Sequence, residues 1–166
     1  MNTIVTLRSL TEDDLLFLQE IYSYYALNTT MVSFTQEMTI ERLKSFVPIN
    51  HPLYKSFIII DGNNETCGFC YYARFKPREA FDITVEISLY LKPGYSGKGM
   101  GNKALEMLEE HIRNDGFKNI IASITSENKH SMNLFEKRGF TCCGHMKNAA
   151  EKFGRKLDLM TYQKNL

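Results

Sequence analysis

From Ile83 to Leu91 apolar and polar residues alternate. Ile83, Val85, Ile87, Leu89 and Leu91 point one way, and Thr84, Glu86, Ser88 and Tyr90 point the other. A strand with this period packs one face on a core and can line a wet cleft with the other. Pro93 and Gly94 end it, because proline has no N–H and glycine accepts unusual dihedrals. Shorter runs predict strands at 3–7, 56–61 and 66–75, the last two joined by the turn sequence DGNNE at 61–65. The three consecutive strands 56–61, 66–75 and 83–91, with short connections, predict an antiparallel meander. Helical spacing governs other stretches. Leu15, Leu18, Ile21, Tyr22 and Tyr25 follow the cap Thr11 and stop near Asn28, and Thr39 caps a short helix through Phe46. Residues 28–34, 50–54 and 76–82 read as loops. Ala104, Leu105, Leu108 and Ile112 mark a third helix ending near Gly116, before a strand at 118–125. A fourth helix spans 128–138 and is closed by Gly139. Two last strands, 140–145 and 157–162, are separated by a basic loop at 146–156. The pattern predicts one α/β domain over residues 1–166, a mixed sheet with helices on both faces.

Composition narrows the classes. With 166 residues, 43% hydrophobic and 23% charged, the chain has the make-up of a folded domain rather than a disordered one. A formal net charge of +1 gives no support to bulk electrostatic binding of nucleic acid. No apolar run approaches the roughly 18 residues of a membrane span, and the N-terminus lacks a basic-then-apolar leader, so no membrane partner and a cytoplasmic location are expected. Cys67 and Cys70 form a C-x-x-C pair, but it and the vicinal Cys142–Cys143 both lie in strand-like runs. Structural thiols, and no metal, are the expectation.

Chemistry concentrates just past the central strand. Gly97, Gly99 and Gly101 alternate with Lys98 and Met100 at the start of the third helix. Positions without side chains there let backbone N–H groups close on an anion, aided by the helix dipole. The dinucleotide fingerprint fails, because Asn102 stands at its sixth position. The phosphate-loop motif fails too, because Lys92 stands at its first glycine and Gly99 follows Gly97-Lys98. A glycine-rich connection without ligand is the alternative at this point.

The order strand, Pro-Gly, Ser96-Gly-Lys-Gly-Met-Gly, helix, strand, then Asn128-x-x-Ser131-x-x-Leu134-Phe135-Glu136-x-x-Gly139-Phe140 resembles the GNAT superfamily of acyl-CoA N-acyltransferases. The resemblance implies a central, mostly antiparallel sheet flanked by helices, and acetyl-CoA as co-substrate. Its pyrophosphate would rest on the backbone of Ser96, Gly97, Lys98, Gly99, Met100, Gly101 and Asn102. Its pantetheine arm would pair with Leu89, Tyr90 and Leu91 like an added strand. It implies further that Asn128 touches the cofactor and that Lys137 or Arg138 lies near its phosphates. Ser96 replaces the superfamily's usual Arg or Gln. A narrower likeness, to the phosphinothricin acetyltransferase group, is carried by Asn28-Thr-Thr, Phe34, Arg78-x-Ala-Phe81, Thr84-Val-Glu86-x-Ser88-x-Tyr90, Gly144-His145, Lys152-Phe-Gly-Arg155 and Asp158. That group acetylates small amino-acid-like amines such as phosphinothricin and methionine sulfone or sulfoximine, and it commonly forms homodimers.

The implied reaction needs a neutral amine, whereas an amine with pKa about 10.4 is protonated at neutral pH. Glu86, on the cleft face, is the candidate general base; its alternative is a solvated strand glutamate. A backbone N–H among 89–91 can serve the oxyanion. Phe135 stands where many superfamily members have a tyrosine acid, and no acid is assigned. Ser131 can assist the leaving group or be a helix-surface residue. Arg74 and Arg78 can each bind an acidic group of the acceptor or be plain surface arginines. Phe34 and Phe81 are candidate walls or core residues, and His145 is a candidate site residue or a hydrogen-bonded structural one. Residues 148–151 and Lys156 depart from the narrower group, which opens the acceptor's identity. The leading reading is acetyl transfer to a small amino-acid-like amine by direct transfer in a ternary complex. The alternatives are a peptide or protein amine acetyltransferase and a silent acyl-CoA-binding module.

Overall fold

The computed structural model describes residues 3–166. In chain order it contains β1 (Val5–Ser9), α1 (Leu15–Asn28), α2 (Ile40–Phe46), β2 (Ser56–Asp61), β3 (Thr66–Arg74), β4 (Thr84–Leu91), α3 (Met100–Asn114), β5 (Asn119–Thr125), α4 (Lys129–Lys137), β6 (Thr141–Lys152) and β7 (Arg155–Asn165). The strands make one seven-stranded sheet in the order β1-β2-β3-β4-β5-β7-β6. Every pairing is antiparallel except β4 with β5. The mixed sheet with helices on both faces is the fold anticipated from the pattern.

Two cores sandwich the sheet. On one face α3 and α4 place Leu105, Leu108, Ile112 and Phe135 against Tyr72, Val85, Ile87 and Ile120. On the other, α1 and α2 place Leu18, Tyr22 and Leu43 against Ile58, Phe69 and Tyr71. A register shift opposite Ile59/Ile60 changes the parity of β3 there, so Cys67 and Cys70 both face the α3/α4 core as buried thiols. Gly68 permits the close approach of β3 and β4, since a Cβ there would meet the Tyr90 carbonyl oxygen at 2.3 Å.

The ladder between β4 and β5 governs the site. It runs only from Thr84↔Asn119 to Glu86↔Ile121, while β5 goes on pairing with β7 as far as Thr125↔Leu159. Beyond Glu86 the two parallel strands separate. The alternation of β4 is resolved more finely than the pattern suggested. Ile83 precedes the strand and is exposed, and Tyr90 packs into the α1/α2 core rather than a wet cleft.

The C-terminal region corrects the sequence reading. Residues 146–156 are not a basic loop. They belong to a long hairpin, β6 with β7, reversed at Phe153 and Gly154, whose φ values are 52° and 70°. β6 is an edge strand with nearly every side chain exposed, so it carries no apolar alternation, and its order comes from main-chain pairing. It shifts register between Met146 and Ala150, with Asn148 at φ 52°. The first strand also sits later than its apolar residues suggested, at Val5–Ser9.

Candidate functional site

The separation of β4 from β5 leaves main-chain groups without strand partners. Lys92 N–H donates to the Cys67 carbonyl, so even-numbered residues of this stretch turn toward β3. Lys118 N–H donates to the Ile83 carbonyl, so odd-numbered residues turn toward β5. By that parity the Ile87 N–H completes the last ladder step against Ile121, and the Ile87 carbonyl with the N–H and C=O of Leu89 and Leu91 faces the gap. The Leu91 carbonyl is already taken by the Tyr25 hydroxyl at 2.7 Å. Of the expected cofactor-strand residues, Leu89 and Leu91 therefore face the gap, while the main chain of Tyr90 turns to β3.

Four cavities run along this edge. The first, about 550 Å³, lies over the glycine turn and is walled by Gly97, Gly99, Gly101, Asn102, His130 and Lys137. The next, about 200 Å³, shares Gly101 and His130 with it and adds Tyr25, Met31, Leu89 and Asn128. A third, about 60 Å³, lies in the gap between Met31, Ser88, Ala122, Ser123, Ser131 and Phe135. Ser88 also walls the fourth, about 630 Å³, with Lys44, His51, Tyr71, Arg74 and Glu86. The run crosses the sheet from the α3/α4 side to the α1/α2 side.

The glycine end fits an anion. Gly97 and Gly99 hold φ of 78° and 81°, a region where side chains are strained, and a Cβ on Gly97 would meet nothing within 4 Å. Gly99 caps α3 without a side chain, and the helix runs fifteen residues to Asn114. Among the described residues, the N–H groups of Gly97 through Asn102 meet no protein acceptor. Lys137 stands across the cavity, and Lys98 lies over the Tyr95 ring at 5.3 Å. The donor set of backbone N–H and ammonium groups suits a pyrophosphate. Asn128 caps α4, its side-chain oxygen accepting the Ser131 N–H at 3.1 Å, and walls the two middle cavities.

At the other end Glu86 is half-buried on the last paired step of β4. Its carboxylate accepts the Ser123 hydroxyl at 2.8 Å. Ser123 reaches it because Glu86 lies level with Ile121, and the residue two further along β5 shares that face. Three tyrosines pack behind. Tyr22 and Tyr71 share a hydroxyl–hydroxyl bond of 2.8 Å, and the Tyr90 ring lies 4.8 Å from that of Tyr22. Burial pushes all three phenols up. They stay neutral at ordinary pH.

Cations line the far wall. Arg74 is held by Asp82, whose Oδ1 accepts from its Nε at 2.9 Å and lies 2.9 Å from its second terminal nitrogen. His51 Nδ1 accepts the N–H groups of Leu53 and Tyr54, which leaves the ring proton on Nε2. Phe34 stands one layer back, against Tyr22 and Phe46 and under the Arg42 guanidinium. Arg78 and Phe81 lie in the exposed turn before β4, and neither walls these cavities. His145 lies on β6, bonded to Asp158 at 2.7 Å, away from these cavities. Ser123, Tyr25, Met31 and His130 join the site although the pattern singled none of them out. Strand register places Ser123, the loop after α1 places Met31, and the last turn of α1 and the first turn of α4 place Tyr25 and His130. Among the described residues no group of three His, Cys, Asp or Glu side chains is arranged to hold a metal. No helix there is long and apolar enough to cross a membrane.

An anion cradle at a helix start, a strand edge left unpaired and a carboxylate-bearing cavity in line are features that suit a long phosphorylated ligand beside a second, smaller one. Comparison with known proteins gives the family. The family model described as "Acetyltransferase (GNAT) domain" matches residues 7–161, and the chain belongs to this family. An L-methionine sulfoximine/L-methionine sulfone acetyltransferase of Pseudomonas paraeruginosa is 37% identical over 113 residues, 68% of this chain and 66% of that protein. A phosphinothricin acetyltransferase from Sinorhizobium meliloti, solved in complex with AcCoA, superposes with a TM-score of 0.88 at 30% identity, covering 98% of this chain and 88% of that one. A ribosomal-protein-alanine N-acetyltransferase from Brucella melitensis superposes with a TM-score of 0.87 at 30% identity, covering 97% and 99%.

Proposed function

We propose that this protein transfers the acetyl group of acetyl-CoA to the primary amine of a small amino-acid-like acceptor of the phosphinothricin or methionine sulfone/sulfoximine type, directly and within a ternary complex. The succession of neighbouring cavities carries this reading. Ser88 walls both the narrow gap and the large cavity, and Glu86 lies two residues away on the same face. Donor and acceptor thus have adjoining places. The buried thiols are poor candidates for a covalent relay, because Cys67 and Cys70 face the opposite core and burial pushes Cys67 to about 11 and Cys70 higher still.

In this reading Glu86 accepts the ammonium proton of the acceptor, directly or through water, and Ser123 keeps its carboxylate aimed. The amine nitrogen then bonds to the acyl carbon, the carbon–sulfur bond breaks, and the surplus proton on the nitrogen passes to water or to the departing thiolate. The N–H groups of Leu89 and Leu91, which face the gap, serve the oxyanion. Phe135 cannot donate a proton, and a thiol of pKa about 8.5 leaves as an anion or takes a proton from water. Arg74, oriented by Asp82, and Lys44 receive the acceptor's acidic group. The Brucella neighbour favours a second reading, in which the acceptor is a peptide α-amine.

Thiol release from acetyl-CoA is to be followed with a panel of amino-acid analogues and Ala-first peptides. E86Q should lower turnover by about 10²–10⁴ while calorimetry shows acetyl-CoA still bound. Unchanged turnover in E86Q would remove the base, and turnover confined to peptides would replace the small-amine reading with the second.

A further inference from the structure

Lys152 ends β6 with 4% of its surface exposed, and its ammonium meets no carboxylate among the described residues. Burial pulls this amine's pKa down. Its partners are two main-chain carbonyls, Val32 at 3.0 Å and Tyr25 at 3.4 Å, and the Phe153 ring at 5.2 Å. The tight reversal at Phe153 and Gly154 fixes where Lys152 lies, beneath the stretch that follows α1.

That stretch is gripped at a second place. The Thr30 carbonyl accepts the Thr125 hydroxyl at 2.9 Å. The Thr30 hydroxyl donates to Glu127 at 2.6 Å, and Arg155 holds Glu127 at 2.8 and 3.1 Å. Met31 stands between Thr30 and Val32, so a fixed carbonyl lies on each side of it. Its side chain is 42% exposed, yet it walls both the 200 Å³ cavity and the 60 Å³ gap. The gap is the smallest of the four cavities, about 60 Å³ against about 200 to 630 Å³ for the others, and a short acyl group suits it best.

We propose that Lys152 is a positioning residue which, through the Val32 carbonyl, holds Met31 against the gap and so limits the transferred acyl group to two carbons. The proposal rests on the acyl-transfer reading above. It gives the buried cation a use that packing alone does not: a neutral side chain of equal length would fill the same space and leave the Val32 carbonyl unheld.

The test measures binding by calorimetry with acetyl-CoA, butanoyl-CoA and free coenzyme A, using the full chain. Wild type should bind acetyl-CoA at least about ten-fold more tightly than butanoyl-CoA, a difference of about 1.4 kcal/mol. In K152M, with folding checked by circular dichroism, the ratio should fall to within about two-fold, and K152R, which keeps donors for both carbonyls, should restore it. M31A should lower the ratio directly. A folded K152M with the wild-type ratio overturns the proposal, as does a wild type that binds both thioesters equally. If K152M does not fold, K152Q replaces it with the same two outcomes. A wild type that binds none of the three compounds fails the acyl-transfer reading itself, a result distinct from binding without selectivity.

Discussion

Two glycines in contact with the same strand separate the stability of the fold from the function of the site. Gly101 is the second residue of α3 and walls the two cavities at the glycine end. A Cβ there would lie 3.4 Å from Leu134, 3.8 Å from Leu91 and 4.0 Å from Leu89, ordinary contact distances. G101A therefore gains helix propensity of up to about 1 kcal/mol without overpacking. For a chain of this size that raises the melting temperature by roughly 2–4 °C at most. The added methyl nevertheless stands where the anion cradle passes into the strand edge, and acetyl-CoA affinity should fall at least about ten-fold, or 1.4 kcal/mol. Gly68 gives the opposite outcome. Its Cβ would meet the Tyr90 carbonyl oxygen at 2.3 Å and Leu91 at 3.0 and 3.1 Å. Two of these three atoms are backbone, so the strands must part, and G68A should cost about 3 kcal/mol, the upper end for overpacking. That is roughly 6–12 °C. Thermal melts and calorimetry on both variants are the assay. If G101A binds acetyl-CoA as wild type does, the cradle is not where the donor sits. If G68A melts within about 2 °C of wild type, the close β3–β4 approach is not what Gly68 secures.

Further tests address the charges around the site. Glu109 is 2% exposed and meets Arg138 Nε at 3.2 Å and Lys164 Nζ at 2.6 Å, joining α3 to the end of α4 and to β7. E109Q leaves two cations facing each other and should cost about 2–3 kcal/mol in urea unfolding, less than the roughly 3–5 of a fully buried pair because both cations keep some exposure. A loss below about 0.5 kcal/mol would show the triad to be dispensable. The Thr30 hydroxyl first, and Arg155 after it, hold the exposed Glu127 carboxyl below its ordinary range. Its contribution to the loop is therefore complete above its unfolded pKa of about 4.3 and is lost as pH falls through the lower folded value. Amide protection at Met31, measured against the intrinsic exchange rate at each pH, should fall over that acid window in wild type and not in E127Q. Equal pH dependence in the two would disconnect Glu127 from the loop.

Much of the fold was legible because its signals are local. The period-two run at β4, the helical stripe of α3 and the DGNNE turn each satisfy their own rule within a few residues, and the elements formed where those rules place them. The β6–β7 hairpin was not legible for the converse reason. Its edge strand is solvated on both faces, so nothing in its side chains records that its main chain is paired. The site divides in the same way. Glu86 and the glycine turn lie on one continuous segment and could be named from it. Ser123, Met31 and Lys152 come from three other segments, and only the sheet order, the β4–β5 register and the reversal at Phe153 bring them to that segment.

The same geometry explains why the carboxylate stands where it does. Glu86 occupies the last step at which β4 and β5 are still joined. One residue earlier, the neighbouring strand would occupy the edge a ligand needs; three residues later, at Leu89, the strands have parted and Ser123 could not reach across. At the fork itself a side chain is anchored by the paired strand and still faces an open edge. The two requirements of the proposed chemistry, a fixed base and an accessible extended ligand, are met together only there. Moving the carboxylate to the Ser88 position, with E86S/S88E, tests this through the exchange alone: charge and composition stay constant while the carboxylate leaves the last paired step, and turnover should fall toward that of E86Q.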